Sequence, residues 1–377
     1  PDGFPEFFSS FQLSGFHRTP NEIANKRVVA ATVIGANAHY NFRNGATAGI
    51  TINSSQFSTP IQRSDAPFNR IEFQGISHYN LGGYGSYDWR NVSLFGEAAI
   101  SKSGGFGGVA GFITSMTPRV DFAMVFRRYD RDFHSFRGTA FAEGSRNINE
   151  RGVYWGLRYT LNRKFFLTAY YDTYRFPWLR FRVNAPSEGN DYLIRLNYNP
   201  GRRVRLYGQF RKEVKEINTT LAETGQTIVE PGTKTQFVTN LEFSASQQLK
   251  LKSRVQYSNF ELQGERTDGY AFIQDASYSI GDWSFSGRMA LFDTEGNENR
   301  QYAYERDVLY AFSIPAYSGR GIRNYLLVQY RASRKIDIWA RLARSTFYDR
   351  DQIGTGLEMI NGDKRTELKV QVRYKLK

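Results

Sequence analysis

The C-terminal stretch Leu368-Lys369-Val370-Gln371-Val372-Arg373-Tyr374-Lys375-Leu376-Lys377 decides the fold class. Apolar residues occupy every second position, and Lys, Gln or Arg occupy the positions between them. Successive side chains of a β-strand point to opposite faces, so one face of this strand suits hydrocarbon and the other suits water. The stretch therefore predicts a membrane-spanning β-strand.

The same period of two recurs along the chain. Apolar residues alternate with polar ones around Val204 to Arg211, Ile322 to Arg331, Val120 to Phe126, Tyr192 to Tyr198 and Trp283 to Leu291. These segments are about 10 to 12 residues long, as a tilted membrane strand requires, whereas soluble strands are nearer 5 or 6. No run approaches the roughly 18 apolar residues of a membrane helix. The pattern predicts an all-β fold, a transmembrane antiparallel up-and-down β-barrel of about 16 to 18 strands in this chain.

Short and long connections alternate, as in outer-membrane barrels with periplasmic turns and extracellular loops. Residues 1–27 are predicted to hold a first strand, Phe7 to Leu13, and a short helical connection, in which Thr19-Pro20-Asn21-Glu22 is a helix start. Residues 28–377 are predicted to form the barrel. Since barrels of single bacterial chains normally have an even strand number, about 17 strands from residue 28 onward imply that Phe7 to Leu13 is a strand or that strands precede Pro1. The predicted extracellular loops are 54–69, 130–150, 175–189, 213–233, 293–321 and 348–364. Residues 306–314 look strand-like, but we expect loop structure folded over or into the lumen.

Composition narrows the chemistry. The 377 residues include no Cys, which excludes disulfides, thiolate metal sites and cysteine nucleophiles. We expect no cofactor. The formal charge of +14 would favour nucleic acid or anionic surfaces in a soluble domain, whereas in a barrel it can line the lumen.

Several phrases resemble a known family. They are Ser14 to Ile23, Ser93 to Ala99, Ala140 to Ser145 with Asn149 to Gly152, Tyr174 to Arg180, Asn184 to Ser187 and Ile314 to Gly321. Together they resemble the C-terminal barrel region of the helix-hairpin-helix-containing outer-membrane proteins of Bacteroidota. In that family a periplasmic region with helix-hairpin-helix repeats precedes the barrel, so the resemblance implies a nucleic-acid role only for a part that this chain does not contain.

Arginine dominates many polar strand faces. The predicted lumen-lining residues are Arg158, Arg195, Arg203, Arg205, Arg254, Arg288, Arg323, Arg331 and Arg373. Rings of Arg and Lys favour anionic solutes. Alternatively, these residues pair with carboxylates such as Glu97, Asp172, Asp191 and Glu242, and the pairs stiffen the barrel wall without conducting anything.

The loop 175–189 combines aromatic and basic residues. Arg175, Phe176, Trp178, Leu179, Arg180 and Phe181 are predicted to plug the lumen or to dock on a partner, since so apolar a loop usually marks an interaction site. Stacking on single-stranded nucleic acid is the alternative.

The sequence predicts no enzyme. Of the histidines, only His134 lies near carboxylates, Asp130 and Asp132, and no defining motif surrounds it. The predicted function is a solute conduit, or a membrane anchor or subunit of an envelope assembly, in the outer membrane of a Gram-negative bacterium. Its partners would be outer-membrane lipids and envelope proteins or lipoproteins. The alternatives are a nucleic-acid uptake or binding component working with an upstream helix-hairpin-helix region and, as a third, an outer-membrane hydrolase.

Overall fold

A computed structural model describes residues 6–11, 15–221 and 224–376. One short helix, α1 (Pro20–Ala24), begins with a capping box in which Thr19 accepts from the backbone N–H of Glu22 and Glu22 accepts from that of Thr19. Single turns of 3-10 helix follow at Pro67–Asn69 and Gly356–Glu358. The strands are β1 (Ala31–Asn41), β2 (Thr47–Ile61), β3 (Gly75–Trp89), β4 (Val92–Ser101), β5 (Phe106–Thr117), β6 (Val120–Tyr129), β7 (Glu150–Thr160), β8 (Phe165–Phe176), β9 (Ser187–Tyr198), β10 (Val204–Thr220), β11 (Thr227–Ser244), β12 (Leu249–Leu262), β13 (Glu265–Ile280), β14 (Trp283–Thr294), β15 (Gln301–Tyr302), β16 (Ala316–Tyr317), β17 (Gly319–Arg331), β18 (Ile336–Phe347), β19 (Gln352–Ile353), β20 (Ile360–Asn361) and β21 (Lys364–Tyr374).

Among the described residues, seventeen strands belong to one sheet, and β15–β16 and β19–β20 form separate two-stranded hairpins. This agrees with the predicted range of strand numbers. The contacts divide the chain into two compact units. Unit 1 comprises residues 1–157, 170–190 and 215–231, and unit 2 comprises residues 158–169, 191–214 and 232–377.

In unit 1 the first six strands, β1 to β6, pair antiparallel in chain order. The turn between β1 and β2 is tight, and Gly45 adopts a φ of +84° there, which glycine takes without steric cost. The connections 62–74 and 130–149 are long. Buried Phe57, Ile61 and Phe73 pack with Phe8 and Phe136, so both ends of the 62–74 connection are held against the sheet.

In unit 2 the strands β12, β13, β14, β17, β18 and β21 pair antiparallel in that order. The last strand pairs Leu368 with Leu342 and Val372 with Ile338, so apolar side chains share one face of the two strands. Residues of the opposite face, such as Arg341 and Asp337, are buried.

The faces of the sheet are inverted relative to those of a water-soluble protein. Leu368 and Ile34 are 71% and 70% exposed, whereas the charged side chains of Arg127, Glu150 and Arg341 are fully buried. Soluble proteins almost never bury charged groups while exposing rows of apolar ones. Apolar strand faces of this kind are stable only against hydrocarbon.

Two of the predicted loops are partly or mostly strand in the structure. β2 continues to Ile61 through the predicted loop 54–69, because serines on both faces hide the alternation in the sequence. β10 and β11 continue to Thr220 and from Thr227, so the predicted loop 213–233 is mostly strand. Strand segments that continue past a bilayer meet water on both faces and need no apolar face. The connections at the other predicted loops are 130–149, 177–186, 295–318 and 348–363.

The predicted strand at Phe7 to Leu13 is absent from its described part, residues 6–11. There Phe8 makes a single bridge to Ile61, and the residues around it are not strand. Gln12, Leu13 and Lys377 lie outside the described residues. Strands upstream of Pro1 therefore stay a prediction.

Within the described ranges, no helix has the length and apolar character needed to cross a membrane.

Candidate functional site

Residues 295–318, here called the inserted segment, connect β14 to β17 and lie on the polar face of unit 2. Ala303 and Tyr317 of this segment join a buried cluster with Ala271, Ile273, Ala290 and Phe292 of the strands. A bridge between Glu305 and Ser313 closes the segment on itself. The sequence predicted loop structure here, folded over or into the interior, and these contacts place it against the inner strand face.

Glu305 fixes the inserted segment by charge. Its fully buried carboxylate accepts from Nε and Nη2 of Arg323 at 2.9 and 3.0 Å, and from Nη2 of Arg341 at 2.5 Å. The Tyr317 hydroxyl adds a fourth hydrogen bond at 3.2 Å. A buried carboxylate with two guanidinium partners is well satisfied, and loss of one member would leave uncompensated buried charge.

Asp307 makes the second ionic contact of the segment. Its carboxylate lies 2.5 Å from Nζ of Lys369 and 3.8 Å from Nε of Arg341. Burial alone would raise the pKa of Asp307, but the Lys369 hydrogen bond and the Arg341 charge hold that pKa below its ordinary value. The segment is therefore tied to β18 and β21 as well as to β17.

The nine predicted lumen-lining arginines fall into three groups by their partners. Four face carboxylates: Arg288 at Asp275, Arg323 at Glu305, and Arg373 and the exposed Arg331 at Asp337. Two contact neutral groups: Arg195 donates to Gln209 and Arg254 to the Tyr207 hydroxyl. The remaining three, Arg158, Arg203 and Arg205, contact no carboxylate in the part of the chain that the structure describes.

The structure refines the prediction for Arg203 and for the carboxylates that were expected to pair with the arginines. Arg203 lies in the turn before β10 and not on a strand face, because the Pro200-Gly201 turn extends to it. Of the carboxylates proposed as wall partners, Asp172, Asp191 and Glu242 pair with Arg127, Arg211 and Lys252. Pairing is therefore extensive, but it leaves Arg158 and Arg205 as exposed cations on the polar faces of β7 and β10.

In unit 1, Glu150 is a buried carboxylate that binds a strand arginine, as Glu305 is in unit 2. Its carboxylate accepts from Arg127 at 2.5 Å and from the backbone N–H groups of Glu143 and Gly144 at 2.8 and 3.0 Å. Arg127 also contacts Asp172 through two hydrogen bonds of 2.7 and 3.1 Å. The connection 130–149 is thereby pinned to β6, β7 and β8.

The loop 177–186, with the end of β8, carries the residues predicted to plug the lumen or dock on a partner. Phe176 is 2% exposed, and Arg180 stacks on its ring at 3.7 Å. The backbone of Trp178 exchanges hydrogen bonds of 2.8 and 2.9 Å with the Asn149 side chain. The loop therefore packs on the connection 130–149.

Not every residue of that loop is packed. Leu179 is half-buried, whereas Arg175 and Phe181 are exposed, Phe181 by 69%. Arg180 donates to the Ser187 hydroxyl at 3.2 Å, and among the described residues it has no carboxylate partner. Whether the loop acts as a plug or a docking surface stays a prediction.

A cavity of about 780 Å³, here called the basic cavity, opens between these loops within unit 1. Its charged lining residues are Arg63, Arg131, Arg146, Arg180, Lys215, Glu72 and Glu143. Glu72 is bound by Arg146, and Glu143 by Lys215 at 2.8 Å. Each carboxylate of the lining thus binds a lining cation. The guanidinium groups of Arg63, Arg131 and Arg180 have no carboxylate partner among the described residues.

Burial shapes the electrostatics of the basic cavity. Burial alone would raise the pKa of Glu72, but the hydrogen bond and charge of Arg146 outweigh it and lower that pKa. The same hydrogen bond raises the pKa of Arg146. Burial lowers the pKa of Arg180, which has no such partner. Arg146 is therefore supported in its charged form by a carboxylate of the lining, whereas Arg180 is not.

His134 is a structural residue by its contacts. Its Nε2 donates to the Ile71 carbonyl at 2.8 Å and its Nδ1 lies 3.2 Å from the Ser103 hydroxyl. Burial lowers the pKa of His134, which keeps the ring neutral. The backbone carbonyl of Asp132 accepts from Ser103, and no described hydrogen bond joins the carboxylate of Asp130 or Asp132 to the ring. In the described ranges no three His, Cys, Asp or Glu side chains gather as metal ligands.

Sequence reasoning missed the basic cavity and the central role of Glu305. Arg63, Arg131 and Arg146 lie in connections where no period of two marks an inward face. Arg146 follows directly on one of the family-like phrases, which was the one available signal.

No protein-family model and no curated protein sequence matches the chain. Solved structures do match. They include the FpvAI–pyocin S2 complex (TM-score 0.56, 12% identity, 91% of this chain and 54% of that chain), the copper transporter OprC (0.55, 13%, 91% and 64%) and the siderophore receptor PiuA from Acinetobacter baumannii (0.51, 9%, 93% and 68%). The chain is an outer-membrane β-barrel protein.

A transmembrane β-barrel of this kind lies in the outer membrane of a Gram-negative bacterium. It spans 54% and 64% of the lengths of the first two of these neighbours. At such low identity the likeness shows the fold alone.

Proposed function

We propose that this barrel is a non-enzymatic solute conduit with a preference for anions. The observation that carries the proposal is the sheet of seventeen strands whose one face is polar and rich in arginine. A barrel of about eight strands is filled by its own side chains, whereas 16 to 18 strands leave an aqueous channel. Rings of Arg and Lys in such a channel raise the local concentration of anions.

The inserted segment would narrow this channel. It is held on the polar face by Glu305 and Asp307, and these two carboxylates together with Glu367 offset the three positive charges of Arg323, Arg341 and Lys369. The cations that a passing solute would meet then include Arg158 and Arg205, which are exposed and have no carboxylate partner among the described residues. Neutralised arginines stiffen the wall, and free ones set the ion preference.

The contacts of His134 support a non-enzymatic role. Its ring ties the connection 130–149 to Ile71 and Ser103, and within the described ranges no carboxylate hydrogen-bonds to the ring to orient it as a general base. The outer-membrane hydrolase is therefore not the function that we propose.

Planar-bilayer recording of the purified, folded protein tests the proposal. We expect discrete conductance steps. In a KCl gradient the reversal potential should be shifted from zero toward the equilibrium potential of chloride. A protein that shows heat-modifiable mobility in SDS but no conductance steps would contradict the conduit and favour a membrane anchor within an envelope assembly.

A matched pair of variants tests the ion preference. Arg205→Gln removes an exposed cation from the polar face of β10, and it should shift the reversal potential toward that of a non-selective channel. Arg344→Gln makes the same chemical change on the apolar face of β18, where the side chain points away from the polar interior, so the reversal potential should stay unchanged. Equal shifts in both variants would show that the polar face does not set selectivity.

A further inference from the structure

We propose that the basic cavity is a binding site for a small solute that carries two or more carboxylate or phosphate groups. The proposal rests on unit 1 alone and is separate from the conductance of the barrel. Its volume of about 780 Å³ falls in the range of roughly 300 to 1,000 Å³ that is usual for small-molecule sites.

The charge of the lining is the first argument. Five cationic side chains face two carboxylates, and each carboxylate already binds a cation of the lining, Arg146 or Lys215. Arg63, Arg131 and Arg180 have no carboxylate partner in the described part of the chain. Guanidinium groups bind carboxylates and phosphates in bidentate geometry, and three of them around one cavity suit a ligand with more than one anionic group.

The unsatisfied donors of these arginines are the second argument. Nε of Arg180 and Nε of Arg63 are buried, and neither has a hydrogen-bond acceptor among the described residues. Within the part of the chain that the structure describes, Arg180 donates to the Ser187 hydroxyl alone and Arg63 to the Ser9 carbonyl alone. Burying a charged group without an acceptor is costly, and an anion in the cavity would accept these donors and relieve that cost.

The walls of the cavity are fixed before any ligand arrives. Glu150 holds the backbone of Glu143 and Gly144, and Asn149 holds that of Trp178. Arg146 crosses to Glu72 and joins the connections 62–74 and 130–149. A preorganised site loses little conformational entropy on binding, which favours a genuine site over a chance gap between loops.

Aromatic side chains complete the lining. Phe176 is buried beneath Arg180, and Phe68 meets the exposed Phe181 edge to face at 5.9 Å between ring centroids. Phe68 and Phe181 offer contact to the apolar or flat part of a ligand, while Phe176 supports Arg180 from below and the guanidinium groups bind the anionic oxygens. The cavity lies among the long connections, the end of the barrel that we expect to face the medium, so that a solute would meet it before the channel.

Isothermal titration calorimetry on the detergent-solubilised full chain tests the proposal, with citrate and inorganic pyrophosphate as probes. We expect saturable one-site binding of at least one probe, at least about tenfold tighter than that of acetate, which carries a single charge and can engage only one guanidinium. Saturable binding of neither probe, or binding of acetate with equal affinity, would overturn the proposal.

Two neighbouring arginines provide the matched variants. Arg180→Gln should weaken binding by about tenfold or more, because it removes a charged donor that faces the cavity. Arg182→Gln removes an equal charge two residues away, from a side chain that packs on Phe181 and does not line the cavity, and binding should be unchanged. Arg131→Gln repeats the test on a lining residue of the connection 130–149 if the first variant does not fold. Equal effects of Arg180→Gln and Arg182→Gln would show general electrostatic attraction and no site.

The test stands apart from that of the conduit. Calorimetry measures binding with no membrane potential and no open channel. A non-conducting barrel that binds citrate would refute the conduit alone, and a conducting barrel that binds neither probe would refute the site alone.

Discussion

Replacing Glu305 by Gln should release the inserted segment from the polar face. Glutamine keeps the size of the side chain but removes its charge, and its NH2 group must then face guanidinium donors. The carboxylate accepts three hydrogen bonds from Arg323 and Arg341 and a fourth from Tyr317, all in a fully buried position.

The magnitude follows from the partners that remain. Breaking a buried ion pair by removing one partner costs about 3 to 5 kcal/mol. Arg341 retains Asp307 at 3.8 Å, and Arg323 retains Glu367 at 3.5 Å, so the lower end, about 3 kcal/mol, applies. Because each 1.4 kcal/mol is a factor of about ten, the docked state should lose more than about a hundredfold in its equilibrium with the released state.

Hydrogen–deuterium exchange of peptides from residues 303–315 measures this change directly. We expect faster exchange in Glu305→Gln, together with larger conductance steps in planar bilayers. Glu242→Gln is the matched control, since its ion pair with Lys252 at 3.5 Å is exposed and such pairs contribute about 0 to 1 kcal/mol. Unchanged exchange in Glu305→Gln, or the same change in both variants, would refute the assignment of Glu305 as the anchor of the segment.

Three further predictions concern the membrane face, the loops and the whole barrel. Val372→Arg should reduce the free energy of folding into lipid vesicles by about 2 to 4 kcal/mol if Val372 lies near the bilayer midplane. Gln371→Arg, on the opposite face of the strand, should be nearly neutral. Equal effects of the two substitutions would mean that the strand register is wrong. Because the pKa of Glu72 is lowered by Arg146, that pair stabilises the loops above the unfolded pKa of about 4.3 and is lost as pH falls through the lower folded value. Protease cleavage within 130–149 should therefore rise in that acidic range, and a pH-independent rate would contradict the pair's role. The folded protein should migrate differently in SDS with and without boiling, because a closed sheet leaves no edge to unravel, and equal mobility would count against a closed barrel.

The strands were predictable because a bilayer imposes a simple rule on them. Each spanning segment must place apolar side chains on one face, as Leu368 to Leu376 do, and the short turns at Arg43 to Gly45 and Gly281-Asp282 follow from the same pattern. The rule fails where a strand leaves hydrocarbon. β2 beyond Ser54 and the outer ends of β10 and β11 were therefore read as loops.

The candidate sites were less predictable, because their contacts join distant parts of the chain. Glu305 lies 18 residues from Arg323 and 36 from Arg341, and no local sequence pattern predicts either ion pair. The basic cavity combines several connections whose residues obey no period. The aromatic residues of loop 175–189 led to the prediction of a plug or docking surface, which stays a prediction, whereas the contacts of Trp178 with Asn149 and of Arg180 with Ser187 had no signal in the sequence.

Both units use the same device, and it changes how an arginine-rich barrel sequence should be interpreted. A buried carboxylate near a long connection, Glu150 in unit 1 and Glu305 in unit 2, neutralises strand arginines and fixes the connection to the polar face. Counting arginines on strand faces therefore overestimates the positive charge that a solute meets inside. The cations left without carboxylate partners among the described residues include Arg63, Arg131 and Arg180, and these lie in the connections. The two proposals together assign the recognition of an anion to the loops, and the passage with its weaker ion preference to the strands.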